Sequence, residues 1–298
     1  AIVHELIDSF IERGECDFIH EFTTPLPVYV IADQLGVPRK DLKDFKRWSD
    51  SFARRLSQMA TPEEQVEDAE NIVAFQMYFA DMCELRRNDP RDDMISDLVV
   101  TEIEDPDNGE VRPLNMEELQ SVLQQLMVAG NETTTSAITG GMLSLIQLSD
   151  QLQALLDDPG MIDNAVEEIL RLETPSAGLW RVVTRDTEIR GVAIPKDSLL
   201  MLRYAAGNRD ETVFDKPELM DVCRANADDH LAFGQGTHFC PGAMLARKEM
   251  QVAFRKLLQR LTNFQLVEGK NDLTHWPNVV LRGLKSLHIT FEPRELSP

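Results

Sequence analysis

The sequence predicts a mainly α-helical protein with a small β portion, folded as a single domain over residues 1–298. Three observations lead to this fold class. Apolar side chains recur every three or four residues through most of the chain, which is the helical period. One helical pattern, from 115 to about 149, is unusually long. Short β-like runs are concentrated between 179 and 205, where Gly191 and Pro195 supply turns.

The first hundred residues have the pattern of successive helices. Apolar residues from Ile2 to Ile11 form one stripe of a helix over 2–12. Gly36 and Pro38 are typical helix stops. The further helices predicted here cover 28–35, 41–56, 62–85 and 92–100. The segment 105–113 is rich in Asp, Pro, Asn and Gly and predicts a loop.

The long helix predicted from 115 to 149 starts with a capping signal, Asn115 followed by Glu118. Its middle reads Ala-Gly-Asn-Glu-Thr-Thr over 129–134. Threonines are locally unfavourable inside a helix, because β-branching and the hydroxyl both compete with helical geometry. Two interpretations stay open from the residues alone. The segment is a kink or a close helix contact through small residues, or it has a functional role.

The second half predicts helices over 151–156 and 161–172 and β runs at 180–183, 187–189 and 198–204. A final helix follows over 242–261, and 281–283 with 287–291 predict a closing hairpin. Within the helix over 161–172, Glu168 and Arg171 are three residues apart and face one side. By itself this spacing is equally typical of a surface ion pair.

One cysteine, Cys240, lies in the glycine-rich segment 233–242, directly before the last helix. Pro241 suits the first helical position. A sulfur there faces unpaired backbone N–H groups and the positive end of the helix dipole, which both stabilise a thiolate. A lone cysteine is most often structural. A thiolate among glycines and aromatics suits a metal or a flat cofactor better.

Composition limits the partners. The net charge of −21 argues against nucleic acid or an anionic membrane surface as the main partner. No apolar run approaches the roughly 20 residues of a membrane span. The cysteines have no framework spacing, which favours a reducing, cytoplasmic location. A helical pattern that already runs from Ala1 suggests a chain cut within a longer protein.

Three segments together resemble one family. The Phe-x-x-Gly-x-His-x-Cys-x-Gly pattern of 233–242 resembles the haem-thiolate loop of cytochrome P450 proteins. The 129–134 segment is similar to their oxygen-binding helix, and Glu168-x-x-Arg171 with Arg224 is similar to their buried triad. The resemblance covers the entire chain in the soluble bacterial style, with the N-terminal section lacking. It implies a cytochrome P450-like fold with the long central helix above the haem and the cysteine loop below it.

The resemblance also implies roles. Cys240 would be the axial thiolate of haem b, and Glu132 and Thr133 would deliver protons to dioxygen. The residues implied to bind the cofactor are Arg181 and His238, at its propionates, with Phe233, Gly234 and Gly242. The residues implied to line the substrate pocket are Val128, Ala129, Ala177, Leu179, Val280 and Leu281. Glu168, Arg171 and Arg224 would fix the loop that holds the thiolate. Without the cysteine pattern, His238 and Arg181 would be an ordinary loop histidine and a strand cation.

The implied reaction is a monooxygenation: one atom of O2 enters a C–H or C=C bond of a lipophilic small molecule. Two electrons would come from a ferredoxin and its ferredoxin reductase, docking near Arg247, Lys248 and Arg255, which are equally an ordinary solvated helix face. Two alternatives remain. One is a zinc module built from Cys223, His230, His238 and Cys240, although these spacings are unusual for zinc. The other is a truncated, inactive fragment that binds haem poorly or not at all.

Overall fold

The structure, a computed structural model, describes residues 1–57, 60–105 and 108–294. The helices are α1 (Ile2–Asp8), α2 (Pro25–Leu35), α3 (Leu42–Ser57), α4 (Pro62–Asn88), α5 (Met94–Val100), α6 (Met116–Gln147), α7 (Ser149–Asp157), α8 (Ile162–Glu173), α9 (Tyr204–Gly207) and α10 (Ala243–Arg260). The strands are β1 (Glu15–Asp17), β2 (Glu102–Glu104), β3 (Val111–Pro113), β4 (Leu179–Val182), β5 (Thr187–Ile189), β6 (Val192–Ile194), β7 (Leu199–Leu202), β8 (Leu261–Leu266) and β9 (His288–Pro293). The chain is therefore mostly helical.

The chain divides into two compact units. The first consists of Thr24–Glu132 with Ala1–Ile2, and the second of Val3–Thr23 with the chain from Thr133 onward. Helix α6 contributes its first half to the first unit and its second half to the second.

The first unit packs α2–α5 and the start of α6 around one apolar core. Aromatic rings dominate it: Trp48 lies against Phe75 and Phe79 with ring centroids 6.2 and 6.4 Å away. The long helix α4 begins where its sequence predicts. Thr61 and Glu64 form a complete capping box, and proline occupies the first helical turn.

Helix α2 ends at Gly36, whose φ of 73° is the left-handed conformation that glycine adopts freely. A side chain at this position would also collide with the carboxyl of Asp93. That carboxyl caps α5 through the N–H of Ser96 at 2.9 Å and accepts a hydrogen bond from buried Arg86 at 2.6 Å. The Gly36 turn is thus fixed by both backbone conformation and space.

The predicted long helix exists as one continuous element, α6, with the expected reciprocal cap. The N–H of Glu118 donates to Asn115 Oδ1 at 3.0 Å, and the N–H of Asn115 donates to Glu118 Oε2 at 2.8 Å. The prediction of a plain loop over 105–113 was wrong at its C-terminal end, where Val111–Pro113 form β3. Strands β2 and β3 pair antiparallel, and residues 106 and 107 between them lie outside the described ranges. Such three-residue strands are too short to show a period-2 pattern.

The second unit contains the other sheets. Strands are ordered β1-β9-β8 in a three-stranded antiparallel sheet, and β4–β7 and β5–β6 form two-stranded ones. The predicted closing hairpin was wrong in its pairing. Strand β9 is present, but its partners are β1 and β8, whereas Leu281 makes an isolated bridge to Ser176. A strand's hydrophobic pattern shows that it pairs without showing with which segment.

Helices α6, α8 and α10 pack closely in the second unit because two glycines remove side chains from α6. A Cβ at Gly141 would lie 2.7 Å from Ile169 of α8 and 3.0 Å from Phe254 of α10. A Cβ at Gly140 would collide with the carboxyl of Glu173 at the end of α8. This packing sets α8 beside α10, and so beside the segment that carries Cys240.

Candidate functional site

The cysteine segment forms a tight loop before α10. The N–H of Cys240 donates to the carbonyl of Phe233 at 3.0 Å and closes the loop. Gly234 and Gly236 have φ values of 68° and 77°, which glycine alone adopts without strain. Helix α10 begins at Ala243 with Gly242 as its N-cap, so Pro241 precedes the cap and is not the first helical residue. The helix start and the sulfur are still adjacent in the chain.

The sulfur of Cys240 is half-buried, and no hydrogen bond to it is found among the described residues. A Cβ at Gly242 would lie 3.8 Å from Sγ, so glycine leaves that side open. The carbonyl of Cys240 accepts the N–H of Ala243 at 3.2 Å, which sets the thiol at the mouth of the helix. The loop therefore presents an available thiol close to a helix N-terminus, where a thiolate is stabilised.

The structure brings Glu168, Arg171 and Arg224 together as a fully buried cluster. Arg171 donates to both oxygens of Glu168 at 2.7 and 2.9 Å, and Arg224 Nε donates to the same carboxylate at 3.0 Å. The exposed fractions are 0% for Glu168 and Arg171 and 7% for Arg224. Two cations and several N–H donors offset the desolvation of one carboxylate.

The cluster also fixes the segment 208–224, which has little regular structure. Arg171 donates to the carbonyls of Asn208 and Pro217, each at 2.7 Å, and its guanidinium lies 5.0 Å from the Phe214 ring centroid. Arg224 donates to the carbonyl of Asp215 at 2.7 Å. The sequence pattern did not indicate these carbonyl contacts, because they depend on the path of the loop.

A second ionic cluster lies beside the first, and sequence reasoning missed it. Glu167 accepts two hydrogen bonds from Arg247, both at 2.8 Å, and one from His230 at 3.2 Å. Partial burial acts to raise the pKa of Glu167, but the bonds from His230 and Arg247 outweigh it and lower that pKa to about 2. Arg247 was predicted as a docking cation; it is held within the protein.

Arg181 and His238 are placed on separate segments of the second unit. Arg181 lies on β4, is partly buried, and donates one hydrogen bond, to the carbonyl of Trp180 at 2.8 Å. His238 ends a short exposed turn over Gly236–His238, and its ring has no hydrogen-bond partner among the described residues. No contact joins the two side chains within the described ranges. Both keep donors for a ligand.

The six predicted pocket residues fall in both compact units of the chain. Ala177 donates its N–H to the carbonyl of Val280 at 2.7 Å, Leu281 bridges Ser176, and Leu179 starts β4. These four residues lie in the second unit. The remaining two, Val128 and Ala129, lie on the part of α6 that belongs to the first unit.

Glu132 and Thr133 are successive residues of α6, which stays α-helical through the threonines. Lys46 of α3 places its Nζ 3.5 Å from Glu132 Oε1 and also pairs with Asp50. Burial raises the pKa of Glu132 above its ordinary value, and the charge of Lys46 opposes part of that rise. The Glu132 side chain is 32% exposed. The sequence did not indicate Lys46.

The zinc alternative receives no support. The described ranges contain no group of three or more His, Cys, Asp or Glu side chains arranged to hold a metal ion. Cys223 Sγ instead lies 3.5 Å from the sulfur of Met161, and His230 bonds Glu167.

Comparison with known proteins decides the family. The family model described as Cytochrome P450 matches residues 27–290. The chain belongs to the cytochrome P450 family. Its relatives include the Steroid C26-monooxygenase of Mycobacterium tuberculosis (strain CDC 1551 / Oshkosh), 38% identical over 293 residues, which are 98% of this chain and 77% of the relative. Another is Putative cytochrome P450 YjiB of Bacillus subtilis (strain 168), 38% identical over 97% of this chain and 71% of that protein.

Solved P450 structures share the fold. The complex of P450BioI with hexadec-9Z-enoic acid ligated acyl carrier protein matches with a TM-score of 0.89, at 34% identity over 97% of this chain and 72% of that one. CYP109E1 from Bacillus megaterium in complex with testosterone matches with a TM-score of 0.87, at 30% identity over 97% and 76%. The predicted fold class is confirmed. This bacterial-type P450 is a monooxygenase of a family that uses haem b. In the described part of the chain, no helix is long and apolar enough to span a bilayer.

The residues of this P450 fit haem. One half-buried thiol is available for iron beside open glycines, and Arg181 and His238 offer N–H donors for carboxylates. Two large apolar side chains are also exposed, as a flat apolar cofactor would require: Leu179, on the same face of β4 as Arg181, and Phe239, next to Cys240.

Glu249 of α10 is a buried acid of this P450 that the motifs did not indicate. It is 8% exposed, and its Oε2 has no hydrogen-bond partner among the described residues. Burial raises its pKa from an ordinary 4.5 to about 8. The folded protein therefore binds more protons than the unfolded chain between these values, and the free energy of unfolding falls as pH rises through that window.

Glu249→Gln is expected to flatten this pH dependence and to raise the free energy of unfolding at pH 8 by about 1–3 kcal/mol. Urea unfolding at pH 5 and pH 8 measures it. Glu268→Gln, at an exposed position, is the matched control and keeps the wild-type slope. An unchanged slope in Glu249→Gln would contradict the assignment.

Proposed function

We propose that this P450 binds haem b through Cys240 and inserts one atom of O2 into a C–H or C=C bond of a lipophilic small molecule. The observation that carries the proposal is the Cys240 loop, closed on Phe233 and set at the start of α10. When bound through a thiolate, haem supplies the activation of dioxygen, since the sulfur donates electron density that favours O–O cleavage. The glycines at 234 and 236 shape the loop that presents the sulfur.

Arg181 and His238 are proposed to hold the two haem carboxylates. Each carries N–H donors that other described residues leave available, and charge-assisted hydrogen bonds are the stronger kind. Pairing the carboxylates in this way avoids leaving bare charge in an apolar site. Phe233, Gly234 and Gly242 complete the cofactor contacts.

Glu132 and Thr133 are proposed to supply protons. The reaction takes up two electrons and two protons from outside, and it releases one water together with the oxygenated product. Lys46 joins Glu132 to Asp50, whose side chain is 45% exposed, so a charged chain leads from the carboxyl toward solvent. Burial raises the pKa of Glu132, so its carboxyl holds a proton more readily than an exposed glutamate does.

Glu132→Gln is expected to lower the rate of product formation about 100-fold, because the amide cannot release a proton. Haem content and unfolding free energy should stay close to wild type, since Lys46 keeps its pairing with Asp50. Rates are compared in H2O and D2O under single-turnover conditions. Glu117→Gln, exposed on the same helix, is the control. Equal rates in both variants would remove Glu132 from the proton path.

The substrate and electron donors are proposed by class. The proposed pocket residues are aliphatic. The similar proteins include a Steroid C26-monooxygenase, a P450 in complex with testosterone, and a P450 in complex with an acyl carrier protein that carries hexadec-9Z-enoic acid. A steroid and a C16 fatty acid are therefore the probes. Electrons would come from a cytoplasmic ferredoxin and its reductase. Because Arg247 and Arg255 are paired with Glu167 and Asp163, exposed Lys248 is the freest of the three predicted docking cations.

The test supplies the haem-loaded chain with a ferredoxin, its reductase, NADPH and either probe under ¹⁸O2. One ¹⁸O atom in the product, dependent on all components, supports the proposal. A haem-loaded protein that releases only hydrogen peroxide with every probe would contradict the monooxygenase assignment. A chain that takes up no haem would favour the inactive-fragment alternative.

A further inference from the structure

We propose that Arg247 is a positioning residue for the Cys240 loop, fixed by Glu167 and acting through the ring of Phe233. The inference rests on the proposed function, because it assigns the loop that Arg247 holds to the thiolate ligand. Arg247 thereby holds the loop itself, in addition to the cluster of Glu168, Arg171 and Arg224, which holds the segment before it.

Arg247 is attached to α8 through the carboxylate of Glu167. Both of its bonds to Glu167 are 2.8 Å long and are donated by Nε and a terminal nitrogen, which is the bidentate geometry that fixes a guanidinium plane. Glu167 is 13% exposed and also accepts from His230, so it is itself held. Arg247 is therefore anchored to α8 although it belongs to α10.

The guanidinium of Arg247 also contacts the ring of Phe233. The guanidinium carbon of Arg247 lies 4.6 Å from the centroid of the Phe233 ring, within the range of a cation–π contact. His230, on the same carboxylate, places its ring centroid 5.6 Å from that of Phe233. Arg247 and His230, which both bond Glu167, therefore both contact the ring of Phe233.

Phe233 is in turn bonded to the backbone of Cys240. The carbonyl of Phe233 accepts the N–H of Cys240 at 3.0 Å, and the ring of Phe233 lies edge-on to Phe239 with centroids 6.3 Å apart. Any displacement of Phe233 therefore moves the backbone that carries the thiol.

The two clusters hold different segments. Arg171 and Arg224, both paired with Glu168, donate hydrogen bonds to the carbonyls of residues before the loop, among them Pro217 and Asp215. Glu167 and Arg247 act on Phe233, inside the loop. Glu167 and Glu168 are consecutive residues about 100° apart around α8, so one turn of this helix supplies the carboxylate of each cluster.

Arg247→Gln and Arg247→Lys test the proposal, with Arg255→Gln as the matched control. Arg255 also joins α10 to α8, through Asp163 at 3.0 Å, but it is an exposed pair and has no contact with Phe233. The first measurement is hydrogen exchange of the Cys240 amide in the haem-free chain, read in peptides covering 233–242. The second is the Soret band of the reduced, carbon monoxide-bound protein, which distinguishes a thiolate from a protonated thiol.

Arg247→Gln is expected to exchange the Cys240 amide about 10- to 100-fold faster, since the loss of a charge-assisted contact lowers the cost of opening the loop. Arg247→Lys keeps the positive charge but loses the planar pair of N–H donors, so its exchange rate should be intermediate. The exchange rate of Arg255→Gln should match wild type. With haem, Arg247→Gln should also lose thiolate ligation faster on storage. Equal exchange in Arg247→Gln and Arg255→Gln would overturn the proposal. The exchange measurement needs no haem, so it tests the role of Arg247 even where the wild type fails to show a thiolate band.

Discussion

Replacing Cys240 by alanine is expected to abolish the red-shifted Soret band of the dithionite-reduced, carbon monoxide-saturated protein. That band requires a thiolate on the iron, and alanine offers no ligand atom in its place. Because the N–H of residue 240 still reaches Phe233 and the side chain is only half-buried, the loop should keep its backbone conformation. Activity with any substrate should disappear together with the band.

Cys223→Ala is the matched control for this spectrum. Cys223 lies near the loop in sequence and its sulfur contacts Met161, yet it has no proposed cofactor role. Its spectrum should match wild type. A thiolate band that survives in Cys240→Ala and disappears in Cys223→Ala would reverse the assignment.

Glu168→Gln is expected to lower the free energy of unfolding by about 3–5 kcal/mol, because it removes the anion that two buried guanidinium groups share. The effect should be large in the haem-free chain as well, since every contact of the cluster is made by protein atoms. Urea unfolding followed by far-UV circular dichroism measures it, and a lower midpoint with an unchanged slope indicates lost stability.

The protein contains a matched control with the same spacing. Glu84 and Arg87 are also three apart on a helix and paired, but their side chains are 60% and 35% exposed. Glu84→Gln should cost less than about 1 kcal/mol, as exposed ion pairs do. Similar losses in the two glutamine variants would show that burial of the Glu168 cluster contributes nothing.

Local signals explain what the sequence predicted well. The start of α6 follows from Asn115 and Glu118, and the end of α2 follows from Gly36, because caps and left-handed turns depend on a few adjacent residues. The Glu168 cluster was found through a resemblance, since Glu-x-x-Arg alone is also a common surface pattern.

The contacts that escaped prediction join distant segments. Arg247 reaches Glu167 across 80 positions, and Lys46 meets Glu132 from another helix. Helical periodicity states which face of α3, α8 or α10 is buried, but it carries no information about which charged side chain lies opposite. The pairing of β1 with β9 was not predicted either, because the hydrophobic pattern of a strand does not indicate which segment it pairs with.

The pairing of β1 with β9 also has a consequence for synthesis on the ribosome. Strand β1 aligns Cys16 with Ile289, so its partner is made roughly 270 residues later. At elongation rates of about 5–20 residues per second, β1 waits roughly 15–55 s for that partner. The first unit, apart from Ala1–Ile2, is one contiguous stretch and meets no such delay. Nascent chains should therefore gain protease resistance within 24–132 well before the sheet containing β1 is complete.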